Sequence, residues 1–461
     1  MKAIHWRTID YLNDSVTQIL IKLGSPIMLS TVVAVFATLI NNYVLKSYCG
    51  EYFVVTSVLS ALIGLISSIP GSVVSAGWAK YSASIVAKDN DAGKNLVTVF
   101  YLLCFLQIVI AAIFLVFADR ILHWLNTPPE VYDTVRVYFV VYLIAYFFVG
   151  LSTWMVTMTT GLESPRGILV INLVNILAPS VMVAILLGIL RLGIVGAAVF
   201  TGAAAFLVIG FAGLMLVRHH LIVLPRGKDF RLDFRACLVL LRMSSIVFLQ
   251  SLICTVGYLV VSTQTNRYLS IDYITVLSVS VPIVNGLSVF STVITIAAPL
   301  NYLSGRFART KKMMWATFWA CEIYGILCFL FHALFGRVYY ASLFSDSNVI
   351  LLGSEYWFLY GLGMLAVPVL YTIRCFFVSV QRVGTALFAG VFELLGNLIC
   401  AYVLIPRFGN VGRSVAYPLG WLLAAAYLFV AYWLMRKRIY SSDPERIVPV
   451  ERGEMKNEKS E

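Results

Sequence analysis

The sequence has little charge. Only 12% of its 461 residues are Asp, Glu, Lys or Arg, whereas 60% are hydrophobic. A soluble domain of this length needs more polar side chains to cover its surface, so the composition excludes an ordinary soluble protein and indicates a polytopic membrane protein. The net charge is +12, but the basic residues fall between hydrophobic runs, as they do in cytoplasmic loops. We therefore expect a lipid bilayer and not a nucleic acid as the large partner.

Sequence motifs of catalysis are also absent. The chain has no Walker motif, no HExxH and no nucleophile elbow, and its eight cysteines form no CxxC. We expect neither an enzyme nor a bound cofactor. Uphill transport by such a chain would have to draw its energy from an ion gradient.

Twelve runs are long and apolar enough to cross a bilayer, which takes ~20 residues each. The sequence thus predicts an all-α protein of 12 transmembrane helices. The runs lie at roughly 23–45, 53–79, 95–118, 134–160, 167–190, 194–217, 237–263, 273–300, 313–335, 356–379, 385–405 and 414–435.

Twelve spans put both termini on one side of the membrane. Of the 34 Lys and Arg residues, 24 fall on that side and eight on the other, Arg413 among the eight. This bias predicts cytoplasmic termini in a multi-pass plasma-membrane protein.

The chain repeats itself with an offset of ~220 residues. "IKLGSPIML" matches "LLRMSSIVFL", "EYFVVTS" matches "DYITVLS", "AKYSASIVAK" matches "LNYLSGRFAR", and "RLGIVGAA" matches "RFGNVGRS". Because each copy holds six spans, both enter the membrane with the same polarity, so we predict two six-helix lobes related as a parallel internal repeat. The predicted parts are a cytoplasmic N-terminal segment (1–21), an N-lobe (22–218), a basic cytoplasmic connector (219–236), a C-lobe (237–438) and a cytoplasmic tail (439–461).

Ionisable residues inside the spans are few. Glu393 lies in the eleventh span, Arg374 in the tenth and Glu322 in the ninth. Spans ten and eleven are antiparallel neighbours, so Arg374 and Glu393 could meet. They form either an ion pair that fixes helix packing or an ion-coupling group that titrates. For Glu322, a structural hydrogen bond to a neighbouring helix competes with the coupling role.

Uncharged polar side chains recur at helical spacing. Tyr138, Tyr142 and Tyr146 form an i, i+4, i+8 series in the fourth span. Such an aromatic face either packs against other helices or binds a ligand. A stripe of polar side chains either forms interhelical hydrogen bonds or lines a cavity. In the eighth span such a stripe is formed by Ser278, Asn285, Ser288, Thr292 and Thr295. We place the tyrosines, all of this stripe except Thr295, and Gln250 on the predicted substrate cavity.

Several motifs resemble those of the multidrug and toxic compound extrusion (MATE) transporters, within the multidrug/oligosaccharidyl-lipid/polysaccharide exporter (MOP) superfamily. The resemblance rests on "GSPIMLSTVVAVFATLINN", "INLVNILAP" followed by "GIVGAAVFT", and "SVQRVGT" followed by "GVFELLGN", "RFGNVG" and "YPLGW". It covers roughly residues 20–435 and is greatest for the Firmicutes-type members. It implies a V-shaped central cavity and efflux of organic cations driven by inward proton or sodium movement.

The usual acidic positions of that family are replaced here. The first-span aspartate aligns with Asn41, the fifth-span aspartate with Ala178, and the acidic positions of spans seven and ten fall near Cys254 or Thr255 and near Leu370. The amides Asn41, Asn172 and Asn175, with Thr201, offer neutral oxygens that suit a sodium ion but cannot titrate. Asn41 and Asn42 are also placed on the substrate cavity.

The sequence therefore predicts a monomeric secondary efflux antiporter for amphipathic, cationic small molecules, coupled to H⁺ or Na⁺. A lipid-linked oligosaccharide or polysaccharide flippase of the same superfamily is the alternative. Pyrophosphate would demand several cavity Arg or Lys residues, and only Arg374 lies clearly within a predicted span. A non-transporting membrane scaffold is a third possibility.

Overall fold

The computed structural model shows a helical protein. It describes residues 13–50, 52–86, 92–162, 165–219, 225, 227–231, 233–279, 287–303, 305–380 and 382–440. Within these ranges every regular element is a helix and no strand occurs. The prediction of an all-α polytopic chain is confirmed for this part.

The N-terminal half contains seven α-helices within its described residues. These are α1 (Val16–Tyr48), α2 (Tyr52–Val86), α3 (Ala92–Val116), α4 (Ala118–Trp124), α5 (Tyr132–Leu162), α6 (Pro165–Val183) and α7 (Gly193–Arg218). A π-helical turn, Ala184–Ile189, continues α6, and the 3₁₀ turns Pro129–Val131 and Gly227–Phe230 precede α5 and α8.

The C-terminal half begins inside the predicted connector. Its helices are α8 (Phe234–Tyr268), α9 (Ile271–Ser278), α10 (Leu287–Leu303), α11 (Phe307–Leu343), α12 (Ser347–Leu362), α13 (Val367–Val369), α14 (Cys375–Ser379), α15 (Val383–Ile399), α16 (Ile405–Ser414) and α17 (Ala416–Ile439). The 3₁₀ turn Gly363–Leu365 follows α12, and the π-helical turns Leu370–Arg374 and Cys400–Leu404 lead into α14 and α16.

The described helices provide fewer membrane spans than the twelve that the sequence predicts. Nine of them are long and apolar enough to cross a membrane, or ten if Ser347–Leu365 and Val367–Ser379 form one span bent by 40°. The predicted seventh and eighth spans, in α8 and in α9 with α10, are not among them. Residues 280–286 of the predicted eighth span lie outside the described residues.

Large apolar side chains cover the outer surface of the bundle. Phe36, Ile144, Leu214, Leu334 and Leu434 are each more than half exposed. Such a surface is unfavourable in water and favourable in the hydrocarbon core of a bilayer. The exposed residues thus fit a membrane protein as well as the composition does.

Helix starts follow from local capping chemistry. Ser15 accepts a hydrogen bond from the backbone N–H of Gln18, whose side chain accepts one from the Ser15 N–H, a reciprocal capping box at the start of α1. Asp233 caps α8 in the usual way, accepting from the N–H groups of Arg235 and Ala236. These caps fix where the two halves enter their first helices.

The predicted tenth span is broken, and the break positions Arg374. Pro368 cannot donate a backbone hydrogen bond, so α12 does not continue through it. The chain bends there and enters the π-helical turn that carries Arg374. A π turn rotates the side chains that follow it relative to a regular helix, and such turns are frequent at functional sites.

The two halves are in direct contact. The Asn42 amide on α1 donates a hydrogen bond of 2.8 Å to the Tyr339 hydroxyl on α11, and the rings of Phe53 and Phe344 lie 6.0 Å apart. Lys94 on α3 pairs with Asp233 at 2.7 Å. The cavities described next lie within this packed arrangement.

Candidate functional site

Glu393 on α15 is almost fully buried, with 3% of its surface exposed. The Tyr258 hydroxyl on α8 donates a 2.5 Å hydrogen bond to its Oε1 atom. Its Oε2 atom lies 3.4 Å from the Cys254 Sγ and 3.6 Å from the Arg374 Nη1. The structure thus confirms that Arg374 and Glu393 meet, as their antiparallel spans predicted.

Small residues make this contact possible. A Cβ atom at Gly390, one turn before Glu393 on α15, would lie 3.3 Å from the Arg374 Nη2. The Arg374 guanidinium also lies 3.7 Å from the Cys254 Sγ, and its Nε atom is buried without a hydrogen-bond partner. The ion pair is therefore close but incompletely hydrogen-bonded.

The pair borders a cavity of about 460 Å³. Polar residues of α8 at spacing i, i+3, i+4, i+7 form one wall, and the ion pair with polar, aromatic and aliphatic residues of other helices forms the rest. This stripe was missed in the sequence, although its spacing was there to be read. The cavity is lined by Ser251, Cys254, Thr255, Tyr258, Ser291, Val367, Leu370, Tyr371, Arg374, Cys375, Glu393 and Trp421.

Asn397 lies one helical turn beyond Glu393. It is fully buried, and neither its Oδ1 nor its Nδ2 has a hydrogen-bond partner. Glycines face it on both neighbouring helices, because a Cβ at Gly257 would lie 2.8 Å from the Asn397 Nδ2 and one at Gly420 would lie 3.5 Å from its Oδ1. Gly257 and Gly420 thus let α8 and α17 pack close to α15 beside the ion pair.

A second cavity, of about 440 Å³, shares Thr255, Tyr258 and Trp421 with the first. The other lining residues are Ser57, Ser60, Ala61, Gly64, Ser262, Thr265, Asn266, Leu277, Tyr356, Tyr360, Arg413 and Tyr417. Helices of both halves therefore form its walls.

Arg413 is buried, although the sequence places it at a turn on the outer side. It lies near the end of α16, beyond a non-helical break at Gly409, with only 6% of its surface exposed. Its guanidinium stacks over the Tyr417 ring, 4.6 Å from the centroid. The π turn Cys400–Leu404 leads into α16, but the backbone at Gly409 has a φ of 53° and is not helical, so the chain turns before it reaches Arg413.

The predicted sodium ligands are distributed over three helices of the N-terminal half. The Asn41 Oδ1 on α1 and the Thr201 Oγ1 on α7 are both buried without a hydrogen-bond partner. Asn172 on α6 is half-buried, whereas Asn175 is exposed. Ser180 on α6 adds a third such buried oxygen that the sequence interpretation did not select. Among the described residues, no cluster of three or more His, Cys, Asp or Glu side chains could hold a metal ion.

The predicted tyrosine series lies in a packed core. Tyr138, Tyr142 and Tyr146 are buried, with ring centroids 5.9 Å and 5.5 Å apart along the series. Tyr52 on α2 packs against Tyr138 at 6.1 Å. None of the three lines either polar cavity. Of the two interpretations of this series, the described geometry favours packing.

The remaining predicted residues divide into two groups. Two of them lie in the described part of the chain. Glu322 on α11 is half-buried and forms no hydrogen bond or ion pair with a described residue. The Ser278 hydroxyl donates a hydrogen bond to the Thr275 carbonyl on its own helix. Asn285 and the side chains of Gln250, Ser288 and Thr292 lie outside what the structure describes.

Outside the spans, acidic groups are tuned by basic neighbours. The hydrogen bond from Lys94 lowers the pKa of Asp233 to about 2, helped by the N–H groups that Asp233 caps. The hydrogen bond from Arg136 lowers the pKa of Asp119. These exposed pairs contrast with the buried pair at Glu393.

Solved structures with the same fold were found in the comparison with known proteins. An inward-facing multidrug resistance MATE family transporter of the MOP superfamily matches with a TM-score of 0.75 at 15% identity, covering 89% of this chain and 95% of its own. An outward-facing one matches with a TM-score of 0.75 at 15% identity, covering 96% and 99%. This chain has the fold of the MATE transporters.

A third solved structure with the same fold is reported to have a different kind of binding pocket. It is a MOP superfamily transporter from Pyrococcus furiosus, with a TM-score of 0.71 and 14% identity over 96% of this chain and 99% of its own. Its binding pocket is described as having reverse polarity that suggests a different function. No family model and no curated protein sequence matches this chain. The sequence-based resemblance is thus confirmed by the fold.

Proposed function

We propose that this chain is a secondary active efflux antiporter that exports amphipathic small molecules in exchange for protons or sodium. It would work as a monomer in the plasma membrane with cytoplasmic termini, as a non-enzyme without a bound cofactor. Its twelve spans would form an N-lobe (22–218) and a C-lobe (237–438), joined by the connector 219–236. The MATE fold and the lipid-compatible surface support this proposal.

The observation that carries it is the position of Glu393. An ionised carboxylate in a membrane protein is costly unless it is paired or faces a cavity, and such residues usually serve transport. Glu393 does both, since it lies 3.6 Å from Arg374 and lines the 460 Å³ cavity. Among the described residues that line the two polar cavities, it is the one acidic side chain.

The pair supplies a mechanism for proton exchange. While ionised, Glu393 attracts Arg374 and accepts the hydrogen bond from Tyr258. A proton on Glu393 would remove that attraction and leave Arg374, which lines the same cavity, without a counter-charge. Protonation from the outside would thereby change the charge that the substrate meets. Proton entry and substrate release would be coupled through one carboxylate.

Sodium coupling is the alternative in the N-lobe. The buried oxygens of Asn41 and Thr201 lack hydrogen-bond partners, and neutral oxygens are suitable ligands for a hard cation. Asn172 completes the proposed set more readily than Asn175, which is exposed. Because amides do not titrate near neutral pH, this set would respond to sodium and not to protons.

Everted membrane vesicles provide the direct test. Uptake of a fluorescent amphipathic dye would be followed after imposing a proton gradient alone or a sodium gradient alone. We expect dye uptake with one of the two gradients, and we expect this uptake to stop when the matching ionophore dissipates that gradient. A purified, folded protein that moved no dye under either gradient would contradict the proposal and favour the non-transporting scaffold.

Alternating access between the lobes makes a second, structural test possible. The outer contact from Asn42 to Tyr339 must break when the protein opens to that side. A cross-link between cysteines at these two positions should block transport, and its reduction should restore it. A variant that carries only one of the two introduced cysteines serves as the control, since it cannot form this bridge. Undiminished transport by fully cross-linked protein would exclude the rocking motion.

A further inference from the structure

We infer that the substrate carries an anionic group, such as a carboxylate, sulfonate or phosphate, that binds Arg413. This inference deepens the proposed transport function and rests on it. It replaces the expectation of a purely cationic substrate, which followed from family resemblance. Arg413 is buried, has no counter-charge among the described residues, and is surrounded by aromatic walls that suit an amphipathic anion.

Arg413 is a buried cation with unsatisfied donors. Its side chain borders the 440 Å³ cavity, yet its Nε and Nη1 atoms are shielded from solvent and have no hydrogen-bond partner. Burying an arginine without a partner is strongly unfavourable. The stacking on Tyr417 offsets part of this cost but uses the face of the guanidinium and leaves its N–H groups unsatisfied. An anion bound in the cavity, which the Arg413 side chain borders, would supply the missing counter-charge.

The protein itself provides no such anion at this position. No Asp or Glu lies among the described residues that line the cavity, and Arg413 forms no salt bridge with a described carboxylate. Glu355 on α12 is exposed at the surface. Arg374 differs in this respect, because Glu393 neutralises it. The two adjoining cavities together therefore hold one uncompensated positive charge.

The walls also suit the rest of such a molecule. Tyr356 and Tyr360 form no hydrogen bond with another described side chain, so their hydroxyls remain available as donors to an anion. Three aromatic side chains lie between Arg413 and the Glu393 cavity: Tyr258, Tyr417 and Trp421. The ring centroids of Tyr258 and Tyr417 are 4.8 Å apart. A planar apolar body would pack there while its anionic end binds Arg413.

Binding can be tested without a gradient by using probes that differ in charge. Fluorescein and rhodamine 123 share a xanthene skeleton, but the first is an anion and the second a cation. Fluorescence polarisation with detergent-purified full-length protein would give both affinities. We expect fluorescein to bind wild-type protein and Arg413→Met to weaken it by about tenfold or more. Rhodamine 123 binding should not weaken.

Two further variants separate a specific site from a general loss of charge. Arg407→Met removes an exposed arginine from the same helix and should leave fluorescein affinity unchanged. Arg413→Lys keeps the charge but not the planar fork, so it should retain part of the affinity. A thermal unfolding curve checks that Arg413→Met folds. Equal fluorescein affinity in folded wild-type protein and Arg413→Met would overturn the inference, as would binding of rhodamine 123 alone.

The anion could belong to a free small molecule or to a lipid headgroup, and competition distinguishes these sources. Farnesyl pyrophosphate and farnesol share the lipid chain and differ in the phosphates. Displacement of fluorescein by farnesyl pyrophosphate and not by farnesol, lost in Arg413→Met, would support the site and assign a lipid-linked substrate, as a flippase requires. Displacement by free fluorescein derivatives alone would support the site and assign a soluble amphipathic anion.

These measurements are independent of the transport assay. A protein that binds fluorescein through Arg413 but moves no substrate under any gradient would retain the anion site and lose the proposed function. A protein that transports rhodamine 123 and binds no anion would retain the function and lose the site.

Discussion

Two buried polar groups, one in each half of the molecule, are compensated in opposite ways. In the C-terminal half, Glu393 is ionisable, paired with Arg374 and hydrogen-bonded to Tyr258. In the N-terminal half, Asn41 and Thr201 present neutral oxygens that have no hydrogen-bond partner. The first arrangement contains a carboxylate, the type of group that the proposed proton coupling requires. The second cannot respond to protons, but unsatisfied oxygens are ready to accept a hydrogen bond or a cation.

Polarity alone therefore does not identify a coupling group. Desolvation penalises every buried polar atom, so each requires compensation from a partner, a ligand or a function. Glu393 is compensated within the protein, whereas Asn41, Thr201 and Arg413 are not. The predictions below test whether the compensated group drives transport and whether the uncompensated groups bind something.

The largest effect is expected for Glu393→Gln. The amide keeps the size and much of the hydrogen bonding but removes the charge that responds to the proton gradient. We expect proton-driven flux in everted vesicles to fall by about tenfold or more, which is the consequence of losing one charge-assisted interaction. Glu355→Gln, on the exposed face of α12, is the matched control and should transport normally. Normal flux of Glu393→Gln at every pH would remove this residue from the mechanism.

The second prediction concerns stability and separates pairing from coupling. Arg374→Met should lower the free energy of unfolding by ~3–5 kcal/mol, because it leaves the Glu393 carboxylate buried without a counter-charge. Glu393→Gln should cost less, since the Arg374 side chain is 18% exposed against 4% for Glu393. The double variant should recover stability but not proton-driven flux. Recovery of both would mean that the pair is structural only.

The third prediction addresses the tyrosine series of the N-terminal half. Tyr142→Leu should lower the free energy of unfolding by ~2–4 kcal/mol, because it leaves a void in a packed aromatic core. The affinity of the folded protein for fluorescent substrates should not change. Chemical denaturation in detergent, together with dye binding, measures both quantities. A selective loss of dye affinity with normal stability would place Tyr142 on the substrate path.

A smaller effect on stability is expected for Asn41→Ala combined with Thr201→Val. Removing unsatisfied oxygens should change the free energy of unfolding by no more than ~1 kcal/mol, since no hydrogen bond to a described residue is lost. If sodium binds there, sodium-driven flux should disappear while any proton-driven flux persists. Loss of proton-driven flux in this variant, with Glu393→Gln unaffected, would show that the roles of the halves are reversed.

The smallest effect is expected for the exposed pair of Lys94 and Asp233, which contrasts with the buried pair at Glu393. Because the folded state lowers the pKa of Asp233 to about 2, this group stabilises the protein above the ordinary carboxyl pKa near 3.8. That contribution is lost as the pH falls from 3.8 toward 2. Asp233→Asn should therefore lower the melting temperature slightly at pH 6 and less at pH 3. A larger effect at pH 3 would contradict the assigned direction.

Several features followed from the sequence alone. Apolar runs of ~20 residues cross a bilayer only as helices, so hydrophobicity predicted the all-α membrane fold and most helix positions. A carboxylate isolated in an apolar run must find compensation, so Glu393 and its partner Arg374 were identified from their positions. The resemblance to MATE transporters was carried by local motifs, and the fold confirms it.

Other features were decided only by the tertiary structure. Pro368 and the π turn after it bend the predicted tenth span. The chain breaks at Gly409, and Arg413 beyond this break is buried beside the second cavity. The polar face of α8 lines a cavity because residues of α15 and α17 lie beside it. The tyrosine series lies in a core because α2 and α7 pack against α5. Hydropathy reports whether a segment prefers lipid or water. It does not report which faces of neighbouring helices meet, because that depends on side-chain packing between residues far apart in the chain.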